Sequence, residues 1–318
     1  MPLYVKTGTY TGTGSGTIPV DVGFAPKAMM IYGPAQGTAT TFVPRIKTDT
    51  MSANDSGPLT NIGYYTDGNL TFSGNTFVGA GIGTNGFNIS GKVYYYIVLG
   101  GSSCVTGSYA GNATDNRSIT GLGIDPDLVI IRNTSGSAVA SNFKTTAHGK
   151  LVDLATPFST SASAASLIQQ LITDGFQVGT GSGVNASTFT HHYVAIQKSG
   201  NTAYFNEGTY TGNSADNTNI TGIGFDPTFV FLKGASSGYP VRARSVEVGD
   251  TSGAISAGNT AANNIQSFIT DGFQIGNAAN VNQSGITFYW VAFKDNAPSA
   301  SATNSAMMMH MMIAGGIT

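Results

Sequence analysis

Charge is what this sequence has least of. Charged residues make up 9% of its 318 positions, against roughly a quarter in ordinary soluble domains. Glu207 and Glu247 are its only glutamates, which leaves little material for the carboxylate pair of a glycosidase. The 14 Lys and Arg are scattered; no basic stripe forms, and no nucleic-acid partner is expected. Cys104 stands alone, which excludes an intrachain disulfide and reads as a small buried hydrophobe. No apolar run reaches 18 residues, so no membrane span is expected. No apolar stretch follows a basic start, so no secretory signal is expected either. A net charge of -2 gives little repulsion between copies, as suits a protein that works assembled.

What fills the space is glycine, 43 residues, about twice the usual share of around 7%, together with Ser, Thr and Asn. Hydrophobic residues at 41% suffice for real cores. One phrase is written three times. It reads Ile119-Thr120-Gly121-Leu122-Gly123-Ile124-Asp125-Pro126 followed by Asp127-Leu128-Val129-Ile130-Ile131-Arg132. It returns from Ile220 to Lys233 and stands in eroded form from Ile18 to Tyr32. Gly permits the turn and Pro fixes φ just before a strand. The continuous apolar run that follows fits a strand covered on both faces. An opening motif repeats with it: Gly8-Thr9-Tyr10-Thr11-Gly12, Gly107-Ser108-Tyr109-Ala110-Gly111-Asn112 and Gly208-Thr209-Tyr210-Thr211-Gly212-Asn213. From Gly107 to Gly208 is a step of 101 residues, too long for a solenoid unit of about 20–50 and the size of a domain.

The expected fold is therefore mainly β: three tandem, related, β-sandwich-like domains with a short α-helix in at least the second and third. The expected units are residues 1–102 (a divergent first repeat), 103–202, 203–296, and a linker with a Met-rich tail over 297–318. Leu167, Ile168, Leu171 and Ile172, and likewise Ile265, Phe268 and Ile269, keep helical spacing and predict helices over 163–172 and 261–269. Asp174-Gly175 and Asp271-Gly272 would end them. The first repeat breaks this pattern: Asp67-Gly68 and Asn85-Gly86-Phe87 compete for the Asp-Gly-Phe position, and an added hairpin is expected between Asn69 and Ile82. Closing strands are expected over 93–99, 189–196 and 286–293; the alternation of Tyr94, Tyr95 and Tyr96 would leave one row exposed.

Little chemistry is written in the chain. His191-His192 on a strand would point to opposite faces and cannot readily share a metal. Asp125-Pro126-Asp127 and Asp226-Pro227 gather too few oxygens for calcium and read as turns. Gly12 to Gly16 and Gly179 to Gly183 lack the Lys-Ser/Thr ending of a phosphate loop and read as loose loops between strands. Arg242, Arg244 and Glu247 are the densest charged group; a solvated loop or a contact between domains outweighs contact with a neighbouring subunit or a glycan. No cofactor, metal or catalytic residue is expected.

These motifs, with Ser267-Phe268-Ile269-Thr270-Asp271-Gly272-Phe273, Val281-Asn282-Gln283-Ser284-Gly285 and Phe288-Tyr289-Trp290-Val291-Ala292-Phe293-Lys294, resemble a repeat domain of tailed-bacteriophage virion proteins, found in modules of tail-fibre type. The third repeat is similar throughout, the second across Gly107 to Lys198, and the first only at its ends. The resemblance implies a structural role in the virion, exercised by assembly with other virion proteins in a tail fibre, tail tip or capsid decoration, with no enzymatic activity to carry over. The alternative is an adhesin module that binds a host-surface glycan. Residues 296–305 read as a linker. Beyond it, Met307, Met308, Met309, Met311, Met312 and Ile313 form an apolar cluster around His310, too short for a bilayer and apt for a subunit interface in a homo-oligomer.

Overall fold

In the computed structural model, residues 1–33, 43–60, 63, 65–82, 86–134, 139–247, 249–254 and 260–298 are described. They form three similar pairs of antiparallel sheets in tandem. Each large sheet is built on the Pro-led core strand, Ala28–Tyr32, Leu128–Asn133 or Phe229–Gly234. On one side it pairs with the closing strand, Val93–Gly101, Thr190–Ile196 or Thr287–Phe293. The closing strand pairs in turn with the opening strand, Leu3–Thr11, Cys104–Ala110 or Phe205–Thr211. On its other side the core strand pairs with Arg45–Thr48, Asn142–Thr145 or Arg242–Arg244. A three-stranded sheet covers one face of each large sheet: Ile18–Asp21, Thr76–Gly79 and Leu70–Ser73 in the first repeat, Arg117–Thr120, Gly175–Val178 and Ile168–Ile172 in the second, Thr218–Thr221, Gly272–Ile275 and Ile265–Ile269 in the third.

The other face explains why the core strands are apolar at every position. Val129 and Ile131 face their own small sheet, with Phe176 and Val178. Leu128 and Ile130 turn the opposite way, into a core that also holds Ala28 and Met30 of the first repeat and Phe229 and Phe231 of the third. Closing strands split alike: Tyr94, Tyr96 and Val98 face the private core of the first repeat, while Ile97 and Leu99 face the shared one. Three large sheets thus surround one common core, and each carries a small sheet on its back. No row of tyrosines is left bare: Tyr94 and Tyr96 are buried, and half-buried Tyr95 stacks on Tyr32 at 5.4 Å.

The helices expected over 163–172 and 261–269 are corrected: Ile168–Ile172 and Ile265–Ile269 are strands of a hairpin. A bulge between Ile168 and Gln170 shifts the register, so Ile168 opposes Val178 and Leu171 opposes Phe176. Two apolar residues three apart then share one strand face and imitate helical spacing. The third repeat has the same shift between Ile265 and Ser267. The short helices lie later, at Ser182–Asn185 and Ala279–Asn282. The first-repeat hairpin, Leu70–Ser73 with Thr76–Gly79, is not an addition but the counterpart of those two. Val20 opposes Phe77 as Ile119 opposes Phe176 and Ile220 opposes Phe273.

The opening motif is a packing device. Its first Gly lies under the ring of the closing strand: a Cβ on Gly107 would stand 2.2 Å from the Tyr193 hydroxyl, and one on Gly208 2.6 Å from Trp290. Its second Gly lies under backbone, since a Cβ on Gly111 would be 1.9 Å from the Ala186 carbonyl and one on Gly212 2.2 Å from that of Gln283. The Tyr between them donates to the carbonyl of Phe87, Val184 or Val281 at 2.8, 2.5 and 2.5 Å. The next residue in each case, Asn88, Asn185 or Asn282, accepts the N–H of Thr13, Asn112 or Asn213. Phe87-Asn88 is therefore not an Asp-Gly-Phe turn but the counterpart of Val184-Asn185 and Val281-Asn282.

Candidate functional site

The residues with chemical potential gather where one repeat meets the next. The turn phrase shows the local logic. Asp174, at the hairpin tip with φ 57°, accepts the N–H of Gly121 at 3.0 Å and of Gly123 at 2.6 Å, while its own N–H donates to Asp125. Asp271 does the same with Gly222, Gly224 and Asp226. The Asp-Pro turns are thereby explained as turns, each tied to the tip of its small sheet.

Between core strand and small sheet, each repeat sends out an excursion organised by a buried cation. Lys47 donates to the carbonyls of Ser52, Ala53 and Asp55 at 3.1, 3.2 and 2.6 Å. Lys144 donates to Val152 and Leu154 at 2.7 and 2.8 Å. Arg244, opposite Val230 as Lys144 is opposite Val129, reaches Glu247, Gly249, Thr251 and Ile265. Burial lowers the pKa of Lys47 and of Lys144 to about 8, because the charged form loses its hydration.

These excursions make the junctions. From first repeat to second, Thr50 Oγ1 meets His192 Nδ1 at 3.0 Å, and Thr106 donates to Asp49 at 2.5 Å. From second to third, the His148 ring stacks on Tyr289 at 3.7 Å and 8°. Glu207 accepts the N–H of Ala147 and the Lys198 ammonium, both at 2.9 Å, and the Thr146 hydroxyl. Lys233 donates to Ser161 at 3.1 Å. From third back to first, Tyr32 donates to Glu247 at 2.5 Å, and the N–H groups of Thr7 and Val5 donate to Asp295 and Asn296. The ring of repeats is closed.

His148 is 4% exposed. Thr145 donates its N–H to Nδ1, which fixes Nε2 as the protonated nitrogen facing Thr156. Burial, and then the nearby Lys144 charge, lower its pKa to about 3. Burial lowers His191 to about 4. The two adjacent histidines do point to opposite faces: His191 stacks on Tyr109 at 5.2 Å in the private core, while His192 reaches the first repeat. Burial raises the pKa of Glu247, against the hydrogen bonds from Tyr32 and Ser245. Arg244 and Glu247 thus belong to a buried contact between repeats and not to a solvated loop, the other option the sequence left open. Burial also pushes the Cys104 thiol up to about 12, so it is an inert core residue.

Two other expectations change. The segment Gly179 to Gly183 is not a loose loop: it leads into Ser182–Asn185, and the Gly181 N–H donates to Ser166. The linker is fixed at its start, because the Asn296 amide donates to Leu3 and its N–H to Val5, and Ala297 joins the private core of the first repeat. The predicted interface residues Met307, Met308, Met309, Met311, Met312 and Ile313 lie outside the described residues. What sequence reasoning missed is the function of the excursions; the recurring cation two residues after the strand start, Lys47, Lys144 and Arg244, was the available signal.

Two surface clefts open beside the excursions. One is a cleft of about 400 Å³ in the third repeat, walled by Asn217, Asp250, Gln266, Ser267 and Gln274. The other is a cleft of about 600 Å³ in the second, walled by Lys150, Leu151, Leu171, Ile172 and Thr173 with Asp125. Leu151 and Val152, 69% and 54% exposed, stand out beside it.

Residues 199–313 match the model of a domain of unknown function, DUF7483. No curated protein matches the chain. Among solved structures, a chain described as "Crystal Structure of the STIV MCP", a viral major capsid protein, aligns over 92% of this chain and 96% of its own length. Identity is 9% and the TM-score 0.17, values that establish no common fold.

Proposed function

We propose that the protein is a structural component of a tailed-phage virion, in a tail fibre, tail tip or capsid decoration, and that it acts by protein–protein assembly rather than catalysis. The observation that carries this reading is the closed ring around a shared core, in which the reactive side chains are engaged in holding repeats together. Glu207 and Glu247, the only glutamates, are both bound at junctions. His148, His191 and His192 are each stacked or bonded inside the fold. The motif resemblance supplies the virion setting. A low net charge leaves copies free to associate, and the apolar cluster from Met307 to Ile313 is the assigned contact between subunits. Deleting residues 306–318 and measuring mass by light scattering tests the reading. A smaller species is expected; an unchanged oligomer that still enters particles would refute the assembly role of this segment.

A second reading, glycan binding, draws on the third-repeat cleft, whose walls supply Asn, Gln, Ser and Asp groups of the kind that orient a polar ligand. A glycan array with the intact chain separates the two: retention of one glycan class, abolished by Gln266→Ala, would favour the adhesin.

A further inference from the structure

The cleft of the second repeat sets Leu151, Leu171 and Ile172 beside Lys150, Thr173 and Asp125. The wall residue Leu151 and its neighbour Val152 are exposed, yet the backbone here is pinned. The Val152 carbonyl accepts from the Lys144 ammonium at 2.7 Å and from the Leu154 N–H at 2.8 Å, and the Val152 N–H donates to Gly149. With the Val152 and Leu154 carbonyls bound to the buried cation, this backbone is fixed; Leu151 shares the cleft wall with Leu171 and Ile172, and the exposed Val152 follows it in the chain. An apolar surface presented on fixed backbone costs little ordering on binding. The first repeat lacks this surface, since around the corresponding Lys47 the loop carries Ser52 and Ala53; the third presents the single exposed Val246 beside Arg244.

The chain itself supplies an occupant. Its described part ends at Pro298, whose carbonyl lies against Gly23, 2.6 Å from where a Cβ would stand. Gly23 occupies in the first repeat the place of Gly123 in the second, and Asp125 of that same turn borders the cleft. The described chain therefore stops against the first-repeat turn that corresponds to the turn bordering the cleft in the second. Eight residues separate Pro298 from Met307, and extended they reach roughly 26–29 Å. The family match runs past the closing strand to residue 313, so the apolar cluster belongs to the matched stretch. Met side chains adapt to irregular walls, and about 600 Å³ lies within the roughly 300–1,000 Å³ of clefts that enclose ligands.

We infer that the cleft beside Leu151 and Val152 is the docking site of the segment Met307 to Ile313 of this same protein. The inference deepens the assembly reading and rests on it for the identity of the contact segment. The test places a benzophenone photocrosslinker at Leu151 in the full chain; that side chain is exposed, so the fold is kept. Mass spectrometry of the irradiated protein should find the crosslink on residues 307–313, whether within one chain or between copies. A Met309→Asp, Met312→Asp double variant should reduce it more than tenfold. Crosslinks confined to other segments, or none at all, would overturn the inference. The two readings fail separately. If deletion of 306–318 lowers the mass but Leu151 crosslinks elsewhere, the docking site is wrong and assembly through the tail stands. If the crosslink forms and the deletion leaves mass unchanged, the docking site stands and the assembly role falls.

Discussion

Phe231→Ala probes whether the three repeats share one fate. Phe231 is fully buried in the common core. Its ring meets Phe143 edge-on at 5.3 Å and 90°, and Phe158 at 5.5 Å, both in the second repeat. Truncating a buried Phe costs about 3–5 kcal/mol, and two aromatic pairs contribute roughly 1–3 kcal/mol of that across the junction. A loss near 4 kcal/mol raises the opening equilibrium about a thousandfold. Hydrogen exchange read by mass spectrometry locates the loss. If the core is shared, slow amides of Ala28–Tyr32, Leu128–Asn133 and Phe229–Gly234 should lose protection by a similar factor, and urea unfolding should stay a single transition. Loss confined to Phe229–Gly234 and its own sheet, with the second repeat unchanged, would refute the common core and restore three independent domains.

Acid should weaken the protein through its neutral histidines. His148 and His191 titrate in the fold at about 3 and about 4 against about 6.5 unfolded. Their contribution is complete above pH 6.5 and is lost as pH falls towards those values. At pH 5 each costs about 2 kcal/mol relative to pH 7, so urea midpoints should fall, and His148→Gln should lose part of that dependence; an unchanged midpoint would count against buried neutral imidazoles. The buried lysines act in the alkaline range. Lys47, Lys144 and Lys233 sit at about 8 in the fold against about 10.4 unfolded, so stability should rise from pH 7 to 9.5 as the unfolded chain binds more protons, and Lys144→Met should flatten the rise. Gly212→Ala, which sets a Cβ 2.2 Å from the Gln283 carbonyl, should cost at least the roughly 1–3 kcal/mol of an overpacked site, measured by thermal melting. Phe268→Ala should cost under about 3 kcal/mol, below a fully buried Phe, because Phe268 is only half-buried against its private core.

The repeat architecture was legible because its glycines and prolines answer to backbone constraints. Gly107 must lie under Tyr193 and Gly111 under Ala186, so the motif is spelled the same way each time. The two-faced apolar core strand was legible too, but not what covers its second face. A strand reading Leu128-Val129-Ile130-Ile131 says that both sides are dry; it cannot say that one side is shared with residues a hundred positions away. The hairpin strands carry helix-like spacing because a bulge converts period two into a step of three, as at Ile168 and Leu171. The sandwich helices therefore moved to Ser182–Asn185 and Ala279–Asn282, four-residue turns too short to leave a periodic trace. The first repeat departs from the motif because its tip, Gly74-Asn75, replaces the Asp of the other two, and Asp21 binds the Gly23 N–H instead.

Three similar repeats in one chain carry a hazard: any junction surface could pair with the wrong partner, within the chain or in another copy. The junctions differ in the residues that meet the same structural position, and that difference works against mispairing. At the position held by Tyr95, His192 and Tyr289, the approaching groups are the Glu247 region, Thr50 and His148 respectively. Setting the excursion of the second repeat against the first would place His148 at Tyr32 in place of the Glu247 carboxylate, which would lose its hydroxyl donor. Setting the third against itself would bring Glu247 beside Glu207, two carboxylates in one poorly solvated junction, while the Lys198 ammonium answers only one of them. Mispairings of this kind each strip a buried carboxylate of a donor or crowd it with a like charge, which costs about 1–3 kcal/mol or more. Identical repeats would not have that protection. The scarcity of charge elsewhere in the chain gives these few charges their discriminating weight.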